Sequence, residues 1–108
     1  MSAARRRVPQ TEGGMMRVIA RYAVIPTVAD PARFCAWAAE VAVAEAAEGW
    51  GAPAGEGVEV WFEGSVPAVE AMIDWCASTL EMTRDELEVT VQRPVLRGGF
   101  DVLEAPPS

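Results

Sequence analysis

The chain has 108 residues, a 51% hydrophobic fraction and a formal net charge of −7, which fits one compact domain and leaves little room for a second. The basic cluster Arg5, Arg6 and Arg7 stands at the start, so the remainder is more acidic still, and such a domain is poorly suited to nucleic acid or an anionic membrane surface. Histidine, lysine and asparagine are absent, which removes the commonest general base, His-containing triads, Schiff-base chemistry and His-based metal sites.

Residues 1–14 are polar and glycine-ended and read as a disordered arm. No apolar run approaches the roughly 20 residues that span a bilayer, and polar residues follow the three arginines where a secretory signal needs an apolar core. The ordered domain is expected over residues 15–104, and 105–108 ("APPS") as a loose tail. "MMRVIARYAVI" (15–25) is rich in β-branched residues and partly alternates, as a strand does. Met16, Val18, Ala20, Tyr22 and Val24 face one way, and Arg17, Ile19, Arg21, Ala23 and Ile25 the other.

Asp30-Pro31 reads as an N-cap followed by proline in the first helical turn. Phe34, Trp37, Ala38, Val41 and Ala44 recur at helical spacing, through about Ala47. "GWGAPAGEGVEVWFEG" (49–64) then reads as two strands around the turn Gly55-Glu56-Gly57. Val58, Val60 and Phe62 alternate with Glu59, Trp61 and Glu63, the first set meeting helices and the second facing outward.

Ser65 caps a second helix that tolerates Pro67 in its first turn and buries Val66, Val69, Met72, Ile73, Cys76 and Leu80. Thr83 with Glu86 resembles a capping arrangement rather than a catalytic acid pair. "DELEVTVQRP" alternates as a strand through Leu87, Val89 and Val91, and "FDVLE" after Gly98-Gly99 reads as a short final strand. Cys35 and Cys76 fall on separate helices without metal-ligand spacing and read as reduced thiols of a cytoplasmic protein. No metal and no cofactor is expected.

The order strand–helix–strand–strand–helix–strand specifies a ferredoxin-like α/β sandwich, βαββαβ with a possible short fifth strand. Both helices cover one face of a mainly antiparallel sheet and leave the other open. If the first and third strands are neighbours, Arg17 and Arg21 pair with Glu59 and Glu63 on that open face. Trp61 among them reads as an interface anchor, for a protein partner or a second copy of the chain, or equally as a ring covered by the N-terminal arm.

From about Arg17 to Leu103 the chain resembles the acylphosphatase family, through Gly49-Trp50, "GVEVWFEG" (57–64), "AVEAMIDWC" (68–76) and "GGF" (98–100). That resemblance implies metal-free hydrolysis of acyl phosphates. The family loop G-x-V-Q-G-V-x-[FY]-R holds phosphate on its backbone amides and arginine, and an asparagine after the Gly-Trp orients water. The equivalent loop here is "VIPTVADPAR", with Thr27, Val28, Ala29, Asp30 and Ala32 at the cradle positions and Arg33 as the phosphate-binding candidate.

Both loop glycines are missing, Pro26 and Pro31 supply no N–H, and Asp30 places a negative charge where phosphate belongs. Ala52 or Pro53 stands in place of the asparagine. The expectation is a degenerate domain that has lost the hydrolysis and serves as a binding or interaction module. The alternative is a working acyl-phosphate hydrolase that depends on Arg33. "MRVIARYAVIP" also resembles the first strand of dimeric α+β barrel proteins, which pair sheet to sheet and would bury Trp61, but their usual cavity histidines are absent.

Overall fold

A computed structural model describes residues 17–96 and 98–107. The arm expected over 1–14 lies outside them. In chain order the elements are β1 (Ile19–Ile25), α1 (Pro31–Glu45), β2 (Glu48–Ala54), β3 (Gly57–Gly64), α2 (Val66–Leu80), a 3-10 turn (Arg84–Glu86), β4 (Glu88–Gln92) and β5 (Phe100–Val102). The five strands form one mixed sheet in the order β4-β1-β3-β2-β5. Only β5 runs parallel to its neighbour, β2. This is the expected βαββαβ sandwich with the short fifth strand in place.

Local chemistry explains the boundaries. The Asp30 carboxylate accepts the Arg33 amide at 3.2 Å, and the Ser65 hydroxyl accepts the Ala68 amide at 3.2 Å, so each helix starts at a side-chain cap. Both helices end on a left-handed residue, Ala46 and Glu81. Gly55, at φ +59°, turns the β2–β3 hairpin. Gly57 allows the closest approach of all, because a Cβ there would meet the Ile25 carbonyl oxygen at 1.7 Å.

The core lies between the helices and one sheet face. Val58, Val60 and Phe62 of β3 meet Val69, Met72, Ile73 and Cys76 of α2, with Phe34 and Cys35 of α1 beside them. On α1 the buried stripe is Phe34, Cys35, Ala38 and Ala42, rotated from the expected one. Trp37 is 43% exposed and Ala44 is exposed, because small residues let α1 lie close on the sheet with its bulkiest ring outside.

One expectation about faces is corrected. Arg21 pairs with Phe62 across β1 and β3, and Ile19, Ala23 and Ile25 of the same set belong to the core. Directly opposed residues point the same way, so Arg21 lies on the helix side while Glu59, Trp61 and Glu63 lie on the other. The expected pairing of Arg17 and Arg21 with those glutamates therefore does not form. Arg21 sits where helix cover runs out, opposite the exposed Val91 of edge strand β4, and its charge reaches Glu70 of α2. Arg17 is exposed, ahead of the first strand.

The face away from the helices is only partly open. Strands β4 and β5 stand at opposite edges, so the connection between them crosses four inter-strand spacings, about 19 Å. It passes over the end of β3, where the amides of Val95 and Leu96 donate to Glu63. The tail expected to be loose returns to this face too, where Pro107 lines the same hollow as Tyr22, Trp50 and Trp61.

Candidate functional site

Two places merit a functional reading: the loop between β1 and α1, and the face opposite the helices. In the loop, Val28 is buried and its amide donates to the Glu56 carbonyl at 2.9 Å, which ties the loop to the β2–β3 turn. Pro26 and Pro31 bring no donor. At the helix start, where backbone amides attract anions, the Arg33 amide is already bonded to the Asp30 carboxylate. The chain's own acid occupies that position.

The Arg33 side chain turns outward and lies over the Trp37 ring, 4.8 Å from its centroid, a contact contributing about 0.5–1 kcal/mol at an exposed site. Thr27, Ala29 and Ala32 are exposed around it. A cavity of about 290 Å³ adjoins the loop, between Asp30, Arg33, Trp37 and Thr79. On β2, Ala52 is fully buried, and Pro53 follows it. Neither side chain can donate or accept a hydrogen bond to orient water.

The opposite face carries more chemistry. Tyr22 of β1 stands across from Trp61 of β3, which stands across from Trp50 of β2. Tyr22 lies 6.3 Å from each indole, tilted 49° and 50°. Two carboxylates hold this cluster. The Tyr22 hydroxyl donates to Glu59, and that bond first, with burial and the Glu59 charge behind it, pushes the phenol up to about 12. The Trp61 indole N–H donates to Glu63 at 2.7 Å.

Glu63 is the one charged side chain fully buried among the described residues. Besides Trp61 it accepts from the amides of Val95 at 3.1 Å and Leu96 at 2.7 Å. Leu96 has a positive φ of 58°, so these successive amides converge on the carboxylate as an anion-binding turn does. Alternation placed Glu63 on this face, but the chain segment that buries it comes from a distant connection with no local signature.

The thiols belong to neither place. Cys35 and Cys76 are buried and unbonded to each other. Burial raises both, Cys76 to about 12, so neither is an activated nucleophile. Among the described residues no group of three His, Cys, Asp or Glu side chains gathers as a metal site, and no helix is long and apolar enough to cross a membrane.

The strand order, the paired helices on one face and the short parallel fifth strand together define the acylphosphatase-like ferredoxin-type fold. Solved structures agree. Full-length HypF in its phosphate- and nucleotide-bound form matches 94% of this chain with a TM-score of 0.67 at 20% identity, and the chain spans 13% of HypF's length. An acylphosphatase from Coxiella burnetii matches 80% of the chain and 93% of its own, with a TM-score of 0.67 at 13% identity. The acylphosphatase from Bacillus subtilis matches 81% of the chain and 99% of its own, with a TM-score of 0.62 at 18% identity. No protein-family model and no curated protein sequence matches the chain. Identities this low establish the fold alone.

Proposed function

We propose that this domain has given up acyl-phosphate hydrolysis and acts as a binding module through the face opposite its helices. The observation that carries the reading is the Asp30 carboxylate on the Arg33 amide. A phosphate at the start of α1 must displace or oppose that charge. The Val28 amide is spent on Glu56, two prolines offer no donor, and Arg33 is stacked on Trp37. Losing one preorganised donor typically costs about 10²–10³ in rate. Here several amides, the arginine's orientation and the water-orienting amide side chain are altered together.

The face opposite the helices supplies what a binding module needs: three aromatic rings, two of them (Tyr22 and Trp61) fixed by hydrogen bonds to carboxylates, flanked by an exposed apolar segment, Val95 and Leu96. Rigid aromatic surface binds at low entropic cost. A sheet-to-sheet pairing of two copies must first displace the Val95–Leu96 crossing, which favours a partner or ligand fitting beside it.

A titration with inorganic phosphate, followed by the backbone amide signals of residues 27–34, tests the closed loop. The expected result is no saturable shift. Saturable shifts at Ala32 and Arg33 favour the alternative, an acyl-phosphate hydrolase that uses Arg33 and the cavity beside it.

A further inference from the structure

The aromatic cluster lines a cavity of about 380 Å³, bounded by Tyr22, Trp50, Glu59, Trp61, Val95 and Pro107. Its walls come from four adjacent strands, with Gln92 of β4 among them, the β4–β5 connection and the C-terminal tail, so distant parts of the chain converge on it. Two walls are pinned: Tyr22 by its bond to Glu59 and Trp61 by its bond to the buried Glu63. Pinned rings are preorganised, and little side-chain entropy is left to lose on binding.

The charges around it are unmatched. Glu63 is fully engaged by three N–H donors. Glu59 has only the Tyr22 hydroxyl among the described residues, and that bond uses one of its two oxygens. The described arginines with side-chain partners find them elsewhere: Arg33 on Trp37, Arg84 on Glu70 and Asp74, and Arg21 on the helix side of the sheet. A half-buried carboxylate at the edge of three aromatic rings attracts a cation from outside, and the net charge of −7 adds a long-range pull of the same sign.

We infer that this cavity is a binding site for a small organic cation whose ammonium group is methylated or quaternary. The choice follows from the walls. A primary ammonium needs three acceptors for its N–H groups; among the lining side chains only Glu59, Tyr22 and Gln92 carry oxygens, and the Tyr22 hydroxyl and one Glu59 oxygen are already bonded to each other. A methylated ammonium needs none; its methyl groups lie against ring faces and its charge is met by the rings and Glu59. The inference rests on reading this face as the functional surface.

The test is a titration with choline chloride at constant total chloride, followed by tryptophan fluorescence and by indole N–H signals, with 3,3-dimethylbutan-1-ol as the neutral isostere. Choline is expected to bind saturably, at least about tenfold tighter than the alcohol, and to shift the indole signals of Trp50 and Trp61 but not those of Trp37 and Trp75. Glu59→Gln keeps an acceptor for the Tyr22 hydroxyl while removing the charge, and is expected to weaken choline about tenfold with the alcohol unaffected. Trp37→Phe leaves the affinity unchanged. Equal affinity for choline and the alcohol, or no saturable shift at Trp50 and Trp61, overturns the inference. Its failure is separable from that of the binding-module reading: phosphate shifts at Ala32 and Arg33 would overturn that reading without touching the choline result.

Discussion

Replacing Glu63 tests how the face opposite the helices is held. Its carboxylate is fully buried and accepts three N–H groups, at 2.7, 3.1 and 2.7 Å. Hydrogen bonds to a charged acceptor contribute about 1.5–3 kcal/mol each. Glu63→Gln keeps the volume but turns an NH2 group toward a donor, losing at least one bond outright, so we expect a loss of about 2–4 kcal/mol. Glu63→Ala strips all three. Val95 and Leu96 are 61% and 67% exposed, so their amides regain water, and the expected loss is about 3–5 kcal/mol rather than the full sum. A domain of this size has about 5–15 kcal/mol in hand, and each kcal/mol moves its melting temperature by about 4–8 °C. Urea unfolding followed by tryptophan fluorescence measures the change, and hydrogen exchange at the Leu96 amide reports whether the crossing has come free. If Glu63→Gln unfolds within about 0.5 kcal/mol of the unaltered protein and Leu96 keeps its protection, the carboxylate is not what holds the crossing.

Tyr22 is the chain's single tyrosine, so absorbance at 295 nm follows it directly as pH rises. Ionisation is expected at about 12, above the ordinary value of about 10, and nearer the ordinary value in Glu59→Ala; an unshifted phenol in the unaltered protein contradicts the Tyr22–Glu59 bond. Because the folded phenol is held in its protonated form, its contribution to stability is fully present below about pH 10 and is lost as pH rises through about 12. The two thiols, buried and raised, are expected to react with a disulfide reagent much more slowly in the native protein than in urea. A fast native reaction at either one refutes the packing described for its helix.

Most of the fold was legible because its signals are local. The Asp30 and Ser65 caps, the glycine-bounded hairpin and the alternation of β3 each act within a few residues, and each stands where expected. The face of β1 was not legible, since both alternating sets of "MMRVIARYAVI" carry apolar residues and a period of two cannot choose between them. The arginines drew the choice toward the wrong side; a corner left bare by the helices accommodates Arg21. Trp37 misled for a related reason, because its size fits the helical period but not the narrow gap that alanines make between α1 and the sheet.

Of the loop, its poverty in donors was readable residue by residue, and the Asp30 cap was expected. That Val28 spends its amide on Glu56, and that Arg33 lies on Trp37, depends on packing the sequence does not display. The burial of Glu63 and the cavity beside Trp61 were hidden for the same reason. Glu63 is met by Val95 and Leu96, and the cavity is closed by Val95 and Pro107, segments brought across the sheet by a strand order in which β4 and β5 occupy opposite edges. The one available signal was Trp61 two residues before Glu63, which places an indole N–H and a carboxylate on the same face of a strand.

The central claim is that the β1–α1 loop no longer performs phosphate chemistry. Hydrolysis of benzoyl phosphate by the purified protein, beside Arg33→Ala, tests it most directly. The account predicts that both proteins leave the substrate decaying at the rate of buffer alone. Turnover well above that rate which Arg33→Ala abolishes would contradict it, and would show that Arg33 leaves Trp37 to hold the phosphate.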